Sequence, residues 1–290
     1  MKDNMYPVSV IIVTHNSEKV LEDSLDSVLG CNASEVIVVD CGSNDRTQEI
    51  VKSRDAVRLV CIGNEGYGRG NNFGVAVATQ DYILILNPDV LIRETDLENL
   101  FGFCSRLLKP AIVAPKMFHR NGNTKVFRKD SRFAGEKVSV KKVCGAAMMI
   151  PRTLFNQLKG FDPNIFLYFE EIDLCIRAKR IGADVLVCGF AEVEHFKAGS
   201  TPSSPKYEHI RGWHDGWSKL YFESKCAETS SLRFIVTAKV LLQTCVKILT
   251  KGLSKDLVGQ RRERNKLLGM KAFLRGEQAF DSDGKARFTD

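Results

Sequence analysis

No stretch of this 290-residue sequence approaches the ~20 uninterrupted apolar residues that a membrane-spanning helix needs, so a spanning helix is not expected. The opening Met1-Lys2-Asp3-Asn4 leads straight into a strand pattern and lacks the charged-then-apolar layout of a secretory signal. The nine cysteines contain no Cys-x-x-Cys pair, which argues against a disulfide framework and against a zinc ribbon. Cys31, Cys41, Cys61, Cys144, Cys175 and Cys188 mostly sit in or beside apolar segments and are expected to be small buried residues in a reducing cytosol. The glycines at 66, 68 and 70 do not form G-x-G-x-x-G, because Asn71 and Phe73 follow, and no Walker lysine motif occurs. A dinucleotide fingerprint is therefore absent, and no internal repeat is evident.

What is present is a globular composition, 44% apolar and 27% charged, with ample sequence for a buried core. The net charge of +7 is uneven: residues 227–290 hold 13 Lys/Arg against 7 Asp/Glu, a net of +6. The rest is near neutral, which weakens any case for nucleic-acid binding and points to a tail that meets an anionic surface.

The first half alternates strands and helices. Val8–Val13, Val36–Val39, Val57–Cys61 and Tyr82–Leu86 read as strands. Glu18–Leu29, with Asn16 or Ser17 as cap, Asn44–Lys52, with Ser43 or Asn44 as cap, and Arg69–Ala78 read as helices. Such alternation predicts an α/β fold, a mostly parallel central sheet with helices on both faces, whose ligands bind beyond the carboxyl ends of the strands. After residue 110 the pattern changes to short strands at Ala111–Ala114, Lys125–Arg128, Val143–Ile150 and Val185–Val187. Helices follow at Pro151–Leu158, Glu170–Ile181 and Tyr207–Lys225, and Gly199–Pro205 has the composition of a mobile loop. The segment Leu232–Leu253 is amphipathic. Lys239, Lys247, Lys251 and Lys255 share one face, and Phe234, Ile235, Val236, Leu241, Leu242, Cys245, Ile248 and Leu249 cover most of the rest. Two readings stand open, a helix packed on the protein and a helix lying in a membrane interface.

Four successive strand ends carry polar clusters: Thr14-His15-Asn16, then Asp40 with Ser43 and Asp45, then Asn64 through Asn72, then Asn87-Pro88-Asp89. One such cluster is ordinarily a turn; four would converge on one rim and favour a ligand site. Asp40 can accept hydrogen bonds from a base or ribose, and Gly66, Gly68 and Gly70 permit close backbone approach. Arg69 suits a phosphate or is a solvated charge. Asp89 is placed to hold Mg²⁺ or Mn²⁺ together with phosphate oxygens, or else is a turn aspartate. Downstream, Glu170, Glu171 and Asp173 follow an aromatic, apolar run and open a helix. A carboxylate against apolar walls suits a general base, and the same three suit the helix dipole. His195, ahead of the expected loop, is a candidate third element.

These residues carry a resemblance. Val8–Asn16, Val38-Val39-Asp40-x-Gly-Ser-x-Asp45, Asn64–Asn72, Asn87-Pro88-Asp89, Gly145-Ala146-Ala147 and Phe161–Leu174, in this order and spacing, resemble the family 2 inverting glycosyltransferases of the GT-A fold, and are most similar to the rhamnosyltransferase-like branch. The resemblance covers roughly residues 7–225. It implies a GT-A domain at 1–226, with a nucleotide-sugar half at 1–110 and an acceptor and catalytic half at 111–226, followed by a basic helical tail at 227–290. It implies that Thr14, Asn16, Asp40, Ser43 and Asp45 bind the nucleoside, that Asn64, Gly66, Arg69 and Asn72 line the ribose-diphosphate path, and that Asn87 belongs to the donor side. Asp89 would be the metal-binding end of the family's D-x-D element and His195 the second metal ligand. Glu171 would be the base, with Glu170 and Asp173 as alternatives. Gly145 and Ala146 would shape the acceptor side and Tyr168 the sugar pocket. Two departures stand out: His15 replaces the usual aromatic after Thr14, and Glu171 stands where Asp is frequent.

The implied chemistry is a single displacement with inversion, aided by a divalent cation, in polysaccharide synthesis. The favoured donor is dTDP-rhamnose, with UDP- and GDP-sugars open. The expected acceptor is a saccharide or a polyprenyl-diphosphate-linked saccharide, whose diphosphate could meet Lys125, Arg128, Lys129, Arg132, Lys137, Lys141 and Lys142. The expected location is the cytoplasm, at the inner face of the cell membrane, with peripheral contact through the tail and no nucleic-acid partner. Two rivals stand: a nucleotidyltransferase on a related sheet, disfavoured by the lack of a glycine-rich basic signature near the first strand, and a non-catalytic sugar-nucleotide-binding or assembly protein.

Overall fold

The computed structural model describes residues 5–119, 137–195, 204–281 and 285–287. The strand expected at Lys125–Arg128, the basic residues Lys125, Arg128, Lys129 and Arg132, and all but the end of the loop expected at Gly199–Pro205 lie outside the described residues. Two compact units emerge. The first takes its described residues from 1–63, 69–162 and 171–201, the second from 64–68, 163–170 and 202–290. A cut at residue 226 does not follow this division, because the helix before it belongs with the tail.

The first unit is built on a nine-stranded sheet. Its opening half contains β1 (Tyr6–Thr14), α1 (Leu21–Leu29), β2 (Ala33–Cys41), α2 (Thr47–Lys52), β3 (Val57–Ile62), α3 (Tyr67–Val77, entering from the second unit) and β4 (Tyr82–Leu86). β3, β2, β1 and β4 lie side by side, all parallel, as the βα alternation requires. Alternation along β1 sends Val8, Val10 and Ile12 to a face covered by Leu21, Leu25 and Val28 of α1. Ile11 points to the other face, where α3 comes so close that a Cβ at Gly74 would overlap the Ile11 side chain. Each such buried aliphatic side chain contributes ~1.5–3 kcal/mol.

The later half holds β5 (Val90–Leu91), α4 (Glu94–Ser105), β6 (Ala111–His119), β7 (Lys137–Ser139), β8 (Ala147–Pro151), α5 (Arg152–Gln157), α6 (Glu170–Arg180) and β9 (Asp184–His195). Here the sheet is mixed rather than parallel: β8 runs antiparallel to β4 and β6, β6 runs parallel to β9, and β5 and β7 both pair antiparallel with β9. β8 starts four residues later than the Val143–Ile150 pattern predicts. A turn at Gly145–Ala146 precedes it, pinned where the Asn87 N–H donates to the Ala146 carbonyl, 2.8 Å. The expected caps are also revised. Val20 and Arg46 occupy the cap positions of α1 and α2 without side-chain bonds. Ser43 is turned toward Asp40, and Asp45 instead accepts the Thr47 N–H, 3.0 Å. Among the cysteines, Cys61 and Cys245 are exposed, so the burial expected of Cys61 does not hold.

The second unit is helical: α7 (Pro205–Cys226), α8 (Ser230–Leu253) and α9 (Leu257–Leu274). Ser204 caps α7 by accepting the Tyr207 N–H, 3.3 Å, with Pro205 in the first turn, and Thr229 caps α8 in the same way, 3.1 Å. α9 was not apparent in the sequence. Its contact with α7 is made through small residues: a Cβ at Gly216 would overlap the Lys266 carbonyl, and one at Gly269 the Trp213 carbonyl. Trp213, Trp217 and Ala272 close the core between the two helices. No described helix is long and apolar enough to cross a membrane.

Candidate active site

Sheet register builds the rim. Thr14 lies opposite Asp40 at the ends of β1 and β2, and Ile12 pairs with Leu86 at the end of β4, so the residues after each strand emerge along one edge. Because β8 runs antiparallel to β4, with Leu86 opposite Ala147, the Cys144–Ala146 segment enters at this same edge. β5 then pairs with the end of β9, Val90 opposite His195, and so carries His195 to Asp89.

At the β1–β2 end, Asp40 is wholly buried. It accepts hydrogen bonds from the Thr14 hydroxyl (3.1 Å), the Ser43 N–H (3.1 Å), the Ser43 hydroxyl and the Gln48 amide (2.7 Å). Four donors satisfy the carboxylate, so in this state Asp40 shapes the Ser43 turn from within. Asn16 adopts a left-handed φ of 53°. Its N–H donates to the Ser43 hydroxyl and its side-chain oxygen accepts the Asn44 N–H, each at 2.8 Å, which stitches the two strand ends together. His15 Nδ1 is 2.7 Å from the Cys41 carbonyl. A carbonyl only accepts, so Nδ1 carries the proton and Nε2 is left to accept from Asn16 Nδ2 at 3.3 Å. Asp45 is half-buried. Burial alone would raise its proton affinity, but bonds from the Thr47 hydroxyl, the Thr47 N–H and the Glu18 N–H outweigh that and hold the carboxyl below its ordinary range.

The second cluster gathers Asn87, Asp89, Cys144, Gly145, Glu171 and His195. His195 Nε2 stands 3.1 Å from Asp89 Oδ1, a buried carboxylate. Asn87 Oδ1 is buried with no hydrogen-bond partner among the described residues. A carboxylate oxygen and an imidazole nitrogen beside an orphaned amide oxygen suit a divalent cation that takes its other ligands from phosphate. Among the described residues no group of three His, Cys, Asp or Glu could hold a metal alone, so phosphate oxygens would have to complete the shell. Glu171 lies against Gly145, where a Cβ would sit 3.3 Å from the Glu171 Cβ. Its side chain keeps some exposure, yet the protein packed about the carboxyl raises its proton affinity. Its own N–H, the Lys142 ammonium and the Ile172 N–H oppose that rise.

The other two candidate bases differ. Asp173 is buried and held by Arg177, whose Nε donates to its Oδ2 at 2.7 Å. The same guanidinium donates to the carbonyls of Leu158 (2.5 Å) and Gly160 (2.8 Å). Glu170 is buried and belongs to the second unit, with Tyr168, Asn64 and Gly66. In that unit Tyr168 and Phe169 take consecutive left-handed φ angles of 69° and 71°, a costly backbone for non-glycine residues. Burial raises the Tyr168 hydroxyl's pKa, and Asp215 and Glu170 push the same way against Arg211 and Arg262. Gly66 (φ +84°) leaves room for a Phe166 carbonyl rather than for a ligand, and the Tyr67 N–H donates to that carbonyl at 3.2 Å.

Of the remaining expected donor residues, Arg69 is half-buried in the first turn of α3. Asn72 has both ends of its amide on Phe161: Oδ1 accepts the N–H and Nδ2 donates to the carbonyl, each 2.9 Å. Gly70 is needed for packing, since a Cβ there would press on Val13 at 2.8 Å. Gln48 and Arg177 join these residues without having been expected, and Lys142, expected at the acceptor's diphosphate, acts on Glu171. Only Arg177 carried a signal, standing one helical turn after Asp173.

Comparison with known proteins adds three findings. Residues 9–176 match the model of the family described as glycosyl transferase family 2. Among curated relatives, the low-salt glycan biosynthesis hexosyltransferase of Haloferax volcanii is 27% identical over 207 residues, 65% of this chain and 66% of that protein. The N-acetylglucosaminyl-diphospho-decaprenol L-rhamnosyltransferase of Mycobacterium tuberculosis is 26% identical, covering 63% of this chain and 76% of its own. A rhamnosyltransferase of Escherichia coli K12 is 26% identical, covering 60% and 78%. Of solved structures, S. aureus TarS 1–349 in complex with UDP-GlcNAc aligns with a TM-score of 0.59 at 16% identity, over 98% of this chain and 97% of that one. GalNAc-T7 with UDP, GalNAc and Mn²⁺ aligns at 0.61 and 15%, over 94% and 56%. At these identities the structural matches speak to the fold.

Proposed function

The chain belongs to glycosyl transferase family 2, and on that premise we propose that it is an inverting glycosyltransferase. It moves a sugar from a nucleoside-diphosphate donor to a hydroxyl of a saccharide or lipid-linked acceptor in cell-surface polysaccharide synthesis. The observation that carries this reading is the second cluster: a carboxylate with raised proton affinity, Glu171, on the same strand-end rim as the Asp89–His195 pair and the orphaned Asn87 oxygen. dTDP-rhamnose is the favoured donor and a polyprenyl-diphosphate-linked saccharide the favoured acceptor. Both choices draw support from two relatives named as rhamnosyltransferases, one of them for a diphospho-decaprenol substrate. The cytoplasm is the proposed compartment, in keeping with cysteines that form no disulfide among the described residues.

In this reading Glu171 accepts the proton of the acceptor hydroxyl. The acceptor oxygen bonds to the anomeric carbon as the bond from that carbon to the diphosphate oxygen breaks, and the configuration inverts. A Mg²⁺ or Mn²⁺ held by Asp89 and His195 would offset the charge that grows on the diphosphate. Burial raises the proton affinity of Glu171, as suits a group that must accept a proton, and its own N–H and Lys142 temper that rise. Asp173 is the weaker choice of base because Arg177 already engages its carboxylate. Thr14, Asn16, Asp40, Ser43 and Asp45 form the nucleoside wall, with Asp40 bracing it from behind. Arg69 faces the diphosphate path, and Gly145 and Ala146 leave room for the acceptor beside Glu171.

The test is a thermal-shift screen of the purified chain against UDP, GDP, dTDP and their sugar conjugates with Mn²⁺, Mg²⁺ or EDTA. It is followed by product analysis with the donor that binds. A ligand at a hundred times its dissociation constant adds ~2.7 kcal/mol of stability. A metal-dependent shift with one nucleoside diphosphate, and release of that diphosphate on turnover, is the expected result. Release of pyrophosphate would replace the proposal with nucleotidyl transfer, and no shift with any member would replace it with a non-catalytic role.

A further inference from the structure

Helix α8 leaves an apolar face uncovered. At 100° per residue, the seven-residue steps Ile235, Leu242 and Leu249 return to almost the same angle, and Val246 and Leu253 lie beside them. These side chains are 60%, 66%, 66%, 48% and 86% exposed. The opposite side of the helix is the packed one: Val240 and Thr244 are buried and Val236 lies against them in the core of the second unit. α8 therefore satisfies its tertiary contacts with one edge and still presents a stripe five turns long to water. Scattered exposed leucines are ordinary, but a continuous stripe of this length is not. Leu257 and Val258, at the start of α9, are exposed as well.

The charges around the stripe say what covers it. α8 carries Arg233, Lys239, Lys247 and Lys251 and no acidic residue. Lys251 is paired with Asp256 at 2.7 Å, Lys239 borders the stripe directly, and Lys247 lies at the angle of Val236 and Val240, away from the stripe. A second copy packed on this face by a two-fold axis would set basic flanks of two α8 helices near one another, with no carboxylate on either helix to pair them. An anionic bilayer answers both features, taking the apolar stripe among its acyl chains and Lys239 at its headgroups.

We propose that α8 is an interfacial helix, which seats the protein on an anionic lipid bilayer through the Ile235–Leu253 stripe and Lys239 beside it. The proposal is independent of the reaction assigned to the first unit.

Flotation of the full chain with phosphatidylcholine vesicles, with and without phosphatidylglycerol, tests it. Wild type is expected to float with the phosphatidylglycerol vesicles and to dissociate as salt rises. Leu242→Glu/Leu249→Glu, at exposed positions that leave the fold unchanged by circular dichroism, should weaken this binding about a hundredfold, the effect of losing two leucine burials. Lys239→Gln should weaken it about fivefold and flatten the salt dependence. Failure of wild type to bind anionic vesicles, or equal binding by the leucine variant, overturns the proposal. So does a wild-type dimer in light scattering that the leucine variant dissociates while neither protein binds lipid, which would assign the face to a second copy. Glycosyl transfer to a soluble acceptor should survive both the leucine and the lysine substitutions, so loss of lipid binding and loss of activity are read apart.

Discussion

Acidification should weaken the helical unit through one residue, His214. Its ring lies in α7 between Phe166 (centroids 4.4 Å apart) and Trp213 (4.8 Å), fully buried. Nε2 is 2.8 Å from the Arg287 carbonyl. Because that carbonyl only accepts, Nε2 holds the proton of a neutral ring. Nδ1, where a second proton would go, is buried with no hydrogen-bond partner among the described residues. Burial pushes the pKa down from 6.5 to about 4, and the bond to Arg287 offsets only part of this. The unfolded chain takes up the proton near 6.5 and the folded chain does not. The contribution of His214 to stability is thus complete above pH 6.5 and is lost as the pH falls toward 4. At ~1.4 kcal/mol per pH unit, going from pH 7 to pH 5 removes about 2 kcal/mol. The assay is urea unfolding followed by the fluorescence of Trp213 and Trp217, which share this core. His214→Gln keeps a neutral donor for the Arg287 carbonyl but cannot ionise, so the difference between variant and wild type isolates the histidine from the carboxylates. Parallel loss of stability in the two proteins between pH 7 and pH 5 would refute the reasoning.

Glu171→Gln should leave donor binding intact and lower kcat by ~10²–10⁴; if Glu170→Gln or Asp173→Asn does so instead, the base is reassigned. Burial raises the folded-state pKa of Glu171, so its contribution to stability is present below the unfolded carboxylate pKa and lost as pH rises through the folded value. Glu171→Gln should accordingly melt higher than wild type at pH 7 and equal to it at pH 4. Asp89→Asn should remove the difference between Mn²⁺ and EDTA in nucleoside-diphosphate binding by calorimetry; an undiminished metal effect would exclude Asp89 as ligand. Arg177→Met takes the guanidinium away from the buried Asp173 carboxylate and should cost about 3–5 kcal/mol in urea unfolding, much of it recovered by adding Asp173→Leu; a cost under ~1 kcal/mol would show that the pair contributes little.

The first four strands and their helices were legible because each is a local pattern: apolar runs of strand length, then apolar residues at helical spacing, within one βα unit. α4 carries the same local signal, with Leu97, Leu100 and Cys104 three and four residues apart. α9 carries no such signal, because its buried face is made of Glu263, Asn265, Gly269, Met270 and Ala272, and only the presence of α7 and α8 makes that face an interior. Polar residues at strand ends marked the rim, and the run from Phe161 to Asp173 marked the carboxylates. Sequence spacing could not separate the residues that line a site from those that build it. Asp40 and Asn72 look like ligand residues, yet hydrogen bonds from partners up to 89 residues distant have engaged their polar atoms. Spacing likewise makes Glu170, Glu171 and Asp173 alike, whereas in the fold Arg177 engages Asp173 and Gly145 lies against Glu171. The sequence alone thus determined the elements, the family resemblance and the edge of the sheet where chemistry belongs, because these depend on local periodicity and chain order. The partnership of Asp89 with His195, 106 residues apart, was decided only when two residues of β5 paired with the end of β9, a long-range contact that no local pattern encodes.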